Sequence, residues 1–132
     1  MIPVTTSLTM ATHNETGKAG ELAARRLLET KGYLVLEANW RFHRAEVDLI
    51  AKDGKILVFV EVKTRSSDAF GKPEAFVDAR KQRFLTEAAS AYMEQIGHDW
   101  EIRFDIISVL AKHGEEALLE HFEDAFFPGL EG

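Results

Sequence analysis

The sequence predicts a single α/β domain, a mixed sheet flanked by helices. Its elements run α-β-β-β-α-β, with a last element that fits either a helix or a short strand. Three features carry that reading. An early segment repeats its apolar residues at helical spacing. Two apolar runs then flank Asp53-Gly54, a tight-turn pair. A long amphipathic stretch follows and leads into another apolar run. At 132 residues the chain has the length of one domain with its own hydrophobic core. Residues 14–127 are expected to form it, between a flexible N-terminal tail at 1–13 and a C-terminal tail at 128–132.

The first dozen residues show no periodicity. Asn14 or Thr16 is placed to cap a helix, and Thr12 with Glu15 has capping-box spacing one turn earlier. Ala19, Leu22, Ala23, Leu27 and Leu28 then recur at helical spacing, and Gly32 stands at the usual C-terminal stop. Residues 33–40, rich in aromatic and aliphatic side chains, read as a strand. Residues 45–52 alternate, with Glu46, Asp48 and Ile50 on one face and Val47, Leu49 and Ala51 on the other. Residues 55–63 run through Ile56, Leu57, Val58, Phe59, Val60 and Val62, the pattern of a central strand covered on both faces. A polar linker spans 64–73. Residues 74–96 form an amphipathic helix with Val77, Phe84, Ala88, Tyr92 and Ile96 inward. Residues 100–110 are another strand, and 115–127 fit either state.

Composition sets limits on function. The chain has no cysteine, which excludes disulfides and thiolate zinc sites, and its five histidines show no ligand spacing. No apolar run approaches the roughly 20 residues that span a bilayer, and the first residues lack the basic start and apolar core of a signal peptide. A cytoplasmic protein away from membranes is expected. The net charge of −6 argues against a phosphate partner, but its distribution is uneven. Residues 1–86 hold 14 Lys and Arg against 11 Asp and Glu, while residues 87–132 hold 2 against 11. A local basic footprint on an acidic protein is therefore available.

The chemistry concentrates at Glu61-Val62-Lys63, where the apolar strand ends. Side chains two apart on a strand share a face, so Glu61 and Lys63 project together. Burying such charges is costly unless they are paired or bound. With Asp53-Gly54 as the turn, residue 61 falls opposite residue 46, and Asp48 lies one diagonal step away. Glu46, Asp48, Glu61 and a lysine then meet at one end of a hairpin. Hard carboxylate oxygens in that arrangement hold Mg²⁺ or Mn²⁺ and suit phosphodiester hydrolysis. The plainer alternative is a solvated or cross-strand ion pair.

Asp48 followed by Glu61-Val62-Lys63 resembles the PD-(D/E)XK nuclease signature, an acid ahead of an acid-x-lysine strand. The stretches Asn39-Trp40-Arg41, Glu46-Val47-Asp48-Leu49-Ile50 and Phe59-Val60-Glu61-Val62-Lys63-Thr64-Arg65 resemble the bacterial YraN-type family more closely. So do Phe70-Gly71-Lys72-Pro73, Lys81-Gln82-Arg83 and Arg103-Phe104-Asp105. That family is similar to archaeal Holliday-junction resolvases, and the resemblance covers residues 17–127. It implies a restriction-endonuclease-like fold, with Asp48, Glu61 and the Val62 carbonyl as metal ligands and Lys63 as the catalytic lysine. Glu21 matches a helix-one glutamate that such relatives point at the metal; the alternative for it is an exposed helix acid. Lys81 lies on the inner stripe of the second helix, where a lysine either snorkels or reaches the site. Ala45 departs from the family, which has glycine there.

Arg41, Arg44, Arg65, Lys72, Arg80, Arg83 and Gln82 flank the site and are candidates for contacting nucleic acid. Trp40 and Phe70 either stack on bases or pack in the core. Asp105 reads as structural. The leading expectation is a Mg²⁺-dependent endonuclease acting on DNA, including branched or damaged forms, with homodimerisation to match two strands. The alternative is a non-catalytic nucleic-acid-binding module of the same fold, accessory to recombination or DNA uptake. A third reading is an interaction domain whose acidic final third docks a basic partner.

Overall fold

Strand and helix order follow the hydrophobic patterning, with one strand added at each end of the chain, and the two lie side by side at one edge of the sheet. A computed structural model describes residues 2–7, 13–66, 77–112 and 114–126. The elements are β1 (Ile2–Ser7), α1 (His13–Thr30), β2 (Leu34–Phe42), β3 (Ala45–Asp53), β4 (Ile56–Arg65), α2 (Ala79–Ile96), β5 (Ile102–Leu110) and β6 (Glu116–Phe126). The six strands lie in the order β1-β6-β5-β4-β3-β2. Strands β4 and β5 are parallel, joined by the crossover that contains α2, and every other pair is antiparallel.

The core forms two layers, one on each face of this sheet. Helix α1 lays Ala23, Ala24, Leu27 and Leu28 against Leu49, Ala51, Val58, Val60, Ile107 and Val109. Helix α2 lays Leu85, Ala88, Ala89 and Tyr92 against Ile50, Leu57, Phe59, Phe104 and Ile106. Residues 57–62 of β4 are buried without a break, as a centrally placed strand requires. Each large side chain sealed this way contributes roughly 1.5–3 kcal/mol. A mixed sheet with a helix layer on each face is the restriction-endonuclease-like architecture that the sequence motifs imply. Among the described residues, no helix is long and apolar enough to cross a membrane.

Several elements depart from the sequence reading. Ile2–Ser7, read as part of a flexible tail, forms an edge strand paired with β6. Its Ile, Val and Thr residues favour a strand, but only the distant β6 supplies its partner. The ambiguous last segment is strand β6. Helix α2 begins at Ala79 rather than 74, because the Asp78 side chain accepts the Lys81 N–H and caps it there; residues 67–76, including most of the polar linker, lie outside the described residues, as does the tail at 128–132. The inner stripe of α2 is Leu85, Ala88, Ala89 and Tyr92, whereas Ile96 stands exposed.

A buried ionic network ties β6 to the rest. Asp105, fully enclosed on β5, accepts from Arg103 Nε at 2.9 Å, His121 Nε2 at 2.7 Å and the Asp124 amide at 3.0 Å. Arg103 extends to Asp53 at 3.1 Å and to the Tyr33 hydroxyl at 2.6 Å. Asp105 is thus structural, as the sequence reading has it. Burial alone would raise its carboxyl, but the bonds from His121 and Arg103 outweigh that and hold it below its ordinary value. A depressed acid stabilises the fold above its unfolded pKa, and that contribution disappears as pH falls below about 4. Asp105→Asn is expected to cost about 3–5 kcal/mol in urea unfolding, because it leaves Arg103 without its buried partner. A cost under about 1 kcal/mol would contradict this role.

Candidate active site

The site lies where the β3–β4 ladder stops. Its register runs from Asp53 opposite Ile56 to Leu49 opposite Val60. The turn is therefore Gly54-Lys55, one residue later than Asp53-Gly54, with Gly54 at φ +61° in the first central place that favours glycine. This shift corrects the sequence register: residue 61 faces Asp48 itself, not Glu46. Past Leu49 the backbone pairing gives way to a side chain. The Val62 amide donates to Asp48 Oδ2 at 2.7 Å. A strand residue directs its N–H and C=O to the same side, so the Val62 carbonyl also faces this gap. The expected alternation of β3 slips here as well, for Val47 and Ile50 both pack in the α2-side core.

Through that gap both helix layers reach one point. From α1, Glu21 brings a carboxylate oxygen within 4.8 Å of those of Glu46 and Asp48. Its approach depends on Gly20, because a Cβ there would lie 1.9 Å from Thr64 Oγ1 on β4. From the other face, the capped first turn of α2 sends the Lys81 ammonium to Glu61 Oε2. The resulting cleft, about 400 Å³, is lined by Arg44, Glu46, Asp48, Glu61, Arg80 and Lys81, with Phe84 and Leu85 as its apolar wall.

Burial and like charge raise the acids. Asp48 and Glu61 are 9% and 6% exposed and lie side by side. Burial first, then the Asp48 charge, pushes Glu61 up to about 8. Burial likewise raises Asp48, against the Val62 amide, and raises Glu21. Burial would depress Lys81, but Glu61 and Asp48 outweigh it and raise it. Glu61 Oε1 is enclosed and has no hydrogen-bond partner. An unpartnered buried carboxylate oxygen beside Asp48, whose own carboxylate lies with those of Glu21 and Glu46, belongs to a donor set suited to a hard divalent cation.

The sequence candidates separate into groups. Glu46, Asp48, Glu61, Lys81 and Arg44 line this cleft, while Glu21 joins Glu46 and Asp48 from α1 and the Val62 amide holds Asp48. Lys63 is exposed, and the ammonium paired with Glu61 belongs to Lys81 instead. Arg41 extends into solvent and pairs with Glu46 at 2.9 Å. Arg65 turns over β5, its Nε 3.2 Å from Ser108 Oγ. Gln82 donates to the Val77 carbonyl at 3.0 Å, a helix-start contact. Arg80 lies over the Phe84 ring, and Arg83 is exposed. Trp40 packs edge-on to Tyr92, a core role. Lys72 and Phe70 lie outside the described residues. Ala45 is buried and carries no positive φ, so the alanine meets no backbone strain. The sequence reading missed Asp78, an aspartate immediately before the first residue of α2 and thus an N-cap signal, and Asn39, which lies beside Glu21.

A family model described as uncharacterised protein family UPF0102 matches residues 20–109. The chain belongs to the UPF0102 family. This is the YraN-type family that the sequence motifs resemble. A UPF0102 protein of Flavobacterium psychrophilum is 51% identical over 118 residues, covering 89% of this chain and 98% of its own. One of Bacteroides thetaiotaomicron is 46% identical over 121 residues, covering 92% and 99%. One of Thermodesulfovibrio yellowstonii is 45% identical over 113 residues, covering 86% and 96%. Among solved structures, that of Pyrococcus furiosus SfsA in complex with Ca²⁺ aligns with 81% of this chain at 16% identity and a TM-score of 0.38. The chain spans 62% of that protein's length, a likeness too loose to carry a function.

Two predictions follow from the geometry of this UPF0102 chain. Gly20→Ala is expected to destabilise by about 1–3 kcal/mol in urea unfolding, because α1 must retreat from the stiff Thr64 side chain; unchanged stability would mean the two elements do not meet so closely. The raised acids set the second. Glu61 holds its proton in the folded state to about pH 8 but loses it near 4.3 when unfolded. The folded state therefore binds more protons in that window, and stability of the metal-free protein falls as pH rises from about 5 to 8. Glu61→Gln should shallow that slope; an unaltered slope would place the proton elsewhere.

Proposed function

We propose that this chain is a Mg²⁺- or Mn²⁺-dependent endonuclease acting on DNA in the cytoplasm, with branched or damaged DNA as its substrate class. The observation that carries the reading is the buried Asp48–Glu61 pair, which lines the cleft with Glu46 and leaves one enclosed Glu61 oxygen unpartnered. Asp48, Glu61 and the Val62 carbonyl would hold the cation, with Glu21 and Glu46 beside them. Bound there, the ion would supply Lewis acidity toward a phosphoryl oxygen and an attacking water.

The chain's own residues account for the rest. Lys81 delivers an ammonium to the acids and is placed to offset negative charge on a transferring phosphoryl group. Lys63, exposed two residues past Glu61 on β4, offers a second ammonium. Arg44 and Arg80 line the cleft and offer phosphate contacts that position a strand without reading its sequence. With a net charge of −6, such contacts are local and binding weakens steeply with salt.

One observation favours the non-catalytic alternative. Lys81 already partners Glu61 within the protein, which lets the site stand closed on itself with no cation. Nicking assays with Mn²⁺ on linear, flapped and four-way DNA separate the two. The nuclease reading expects metal-dependent cleavage that falls at least roughly 100-fold in Asp48→Ala and in Glu61→Ala and by a similar factor in Lys81→Met. DNA binding without cleavage by wild type, unchanged in Asp48→Ala, would favour the binding module.

A further inference from the structure

Three described residues other than glycine carry positive φ: Asn39, His43 and Asp124. His43 sits in the turn between β2 and β3, and Asp124 sits where the β5–β6 register shifts and its amide reaches Asp105. Asn39 has neither explanation. It lies inside β2, between Ala38 opposite Leu49 and Trp40 opposite Val47, which sets it across from Asp48. Its φ is +54° in the middle of a strand, a conformation that asparagine tolerates better than most residues but that still needs a cause. Nor does packing supply one, since Asn39 is exposed. Its side chain instead lies beside the Glu21 carboxylate and favours that acid's charged form.

We infer that Asn39 is a positioning residue of the carboxylate site, holding Glu21 toward Asp48 and Glu46. The left-handed backbone sets the amide on the edge strand within reach of α1, and the amide fixes an acid that would otherwise swing free on a helix surface. Glu21 has reason to move away: its neighbours in the cluster are two further carboxylates, and like charges repel unless something restrains them. A neutral donor on Asn39 restrains Glu21 without neutralising the acid needed to attract a cation. Partners of this kind, which orient a ligand from behind, typically change metal affinity 10–100-fold when removed. The inference rests on the metal-site reading given above.

The test is Mn²⁺ binding by titration calorimetry to the whole chain, with thermal unfolding in chelator as a folding control. Asn39→Gly keeps the left-handed backbone and loses the amide, and Asn39→Ala loses both. Both are expected to weaken Mn²⁺ roughly 10–100-fold, with the metal-free Tm of Asn39→Gly close to wild type. The decisive arm is a double-mutant cycle: in a Glu21→Gln background, Asn39→Gly should have almost no further effect, because its target is gone. Wild-type affinity in Asn39→Gly overturns the inference, as does an undiminished effect in the Glu21→Gln background, which would mark a merely structural role. If wild type itself binds no Mn²⁺, the metal-site reading fails and the inference falls with it, whereas binding lost only in Asp48→Ala leaves the site standing without Asn39.

Discussion

The carboxylate of Asp48 occupies a place where a backbone carbonyl would continue the β3–β4 ladder, and accepts the Val62 amide in its stead. This substitution ends the pairing without leaving a buried donor unsatisfied, which would cost about 1–3 kcal/mol. It also opens the sheet. The Val62 carbonyl faces the gap, and Glu61 stands directly across. The two helix layers, separated elsewhere by the sheet, can then address the same point from opposite sides. Glu21 and Lys81 meet Asp48 only because the strands part there.

The fold invests in rigidity on both sides of that gap. Gly20 lets α1 close on Thr64, and Asp78 starts α2 so that Lys81 falls in its first turn. Beneath them, Leu57 to Val60 anchor β4 in two apolar layers. At the opposite end of the sheet, the Arg103–Asp105–His121 network fixes β6. The charges are divided accordingly. Asp105 is fully paired and its carboxyl is held down, as expected of a structural acid. Glu61 is buried with one oxygen unpartnered and its carboxyl is pushed up, an unfavourable arrangement that a bound cation would relieve.

Much of this was legible in the chain. The uninterrupted apolar run ending in Glu61-Val62-Lys63 marked the central strand and its charged end, because burial on both faces leaves no alternation. Lys81 stood out as a lysine on an apolar stripe. The register was misjudged by the placement of one turn residue: Asp53-Gly54 and Gly54-Lys55 are equally plausible turns in sequence, and only the sheet decides between them. β1 was unreadable for a different reason, since a short edge strand has no signal apart from its partner, and β6 lies more than a hundred residues away. That Lys81 rather than Lys63 pairs with Glu61 depends on how far α2 approaches β4, a tertiary distance that strand alternation does not encode.

The central claim is that Asp48 and Glu61 form one cation site. A crystal structure determined after soaking in Mn²⁺, with anomalous data to locate the ion, tests it most directly. The account predicts a single strong peak shared by Asp48, Glu61 and the Val62 carbonyl, with Lys81 drawn off Glu61. A Lys81–Glu61 pair left intact at saturating Mn²⁺, with no anomalous density in the cleft, would contradict it.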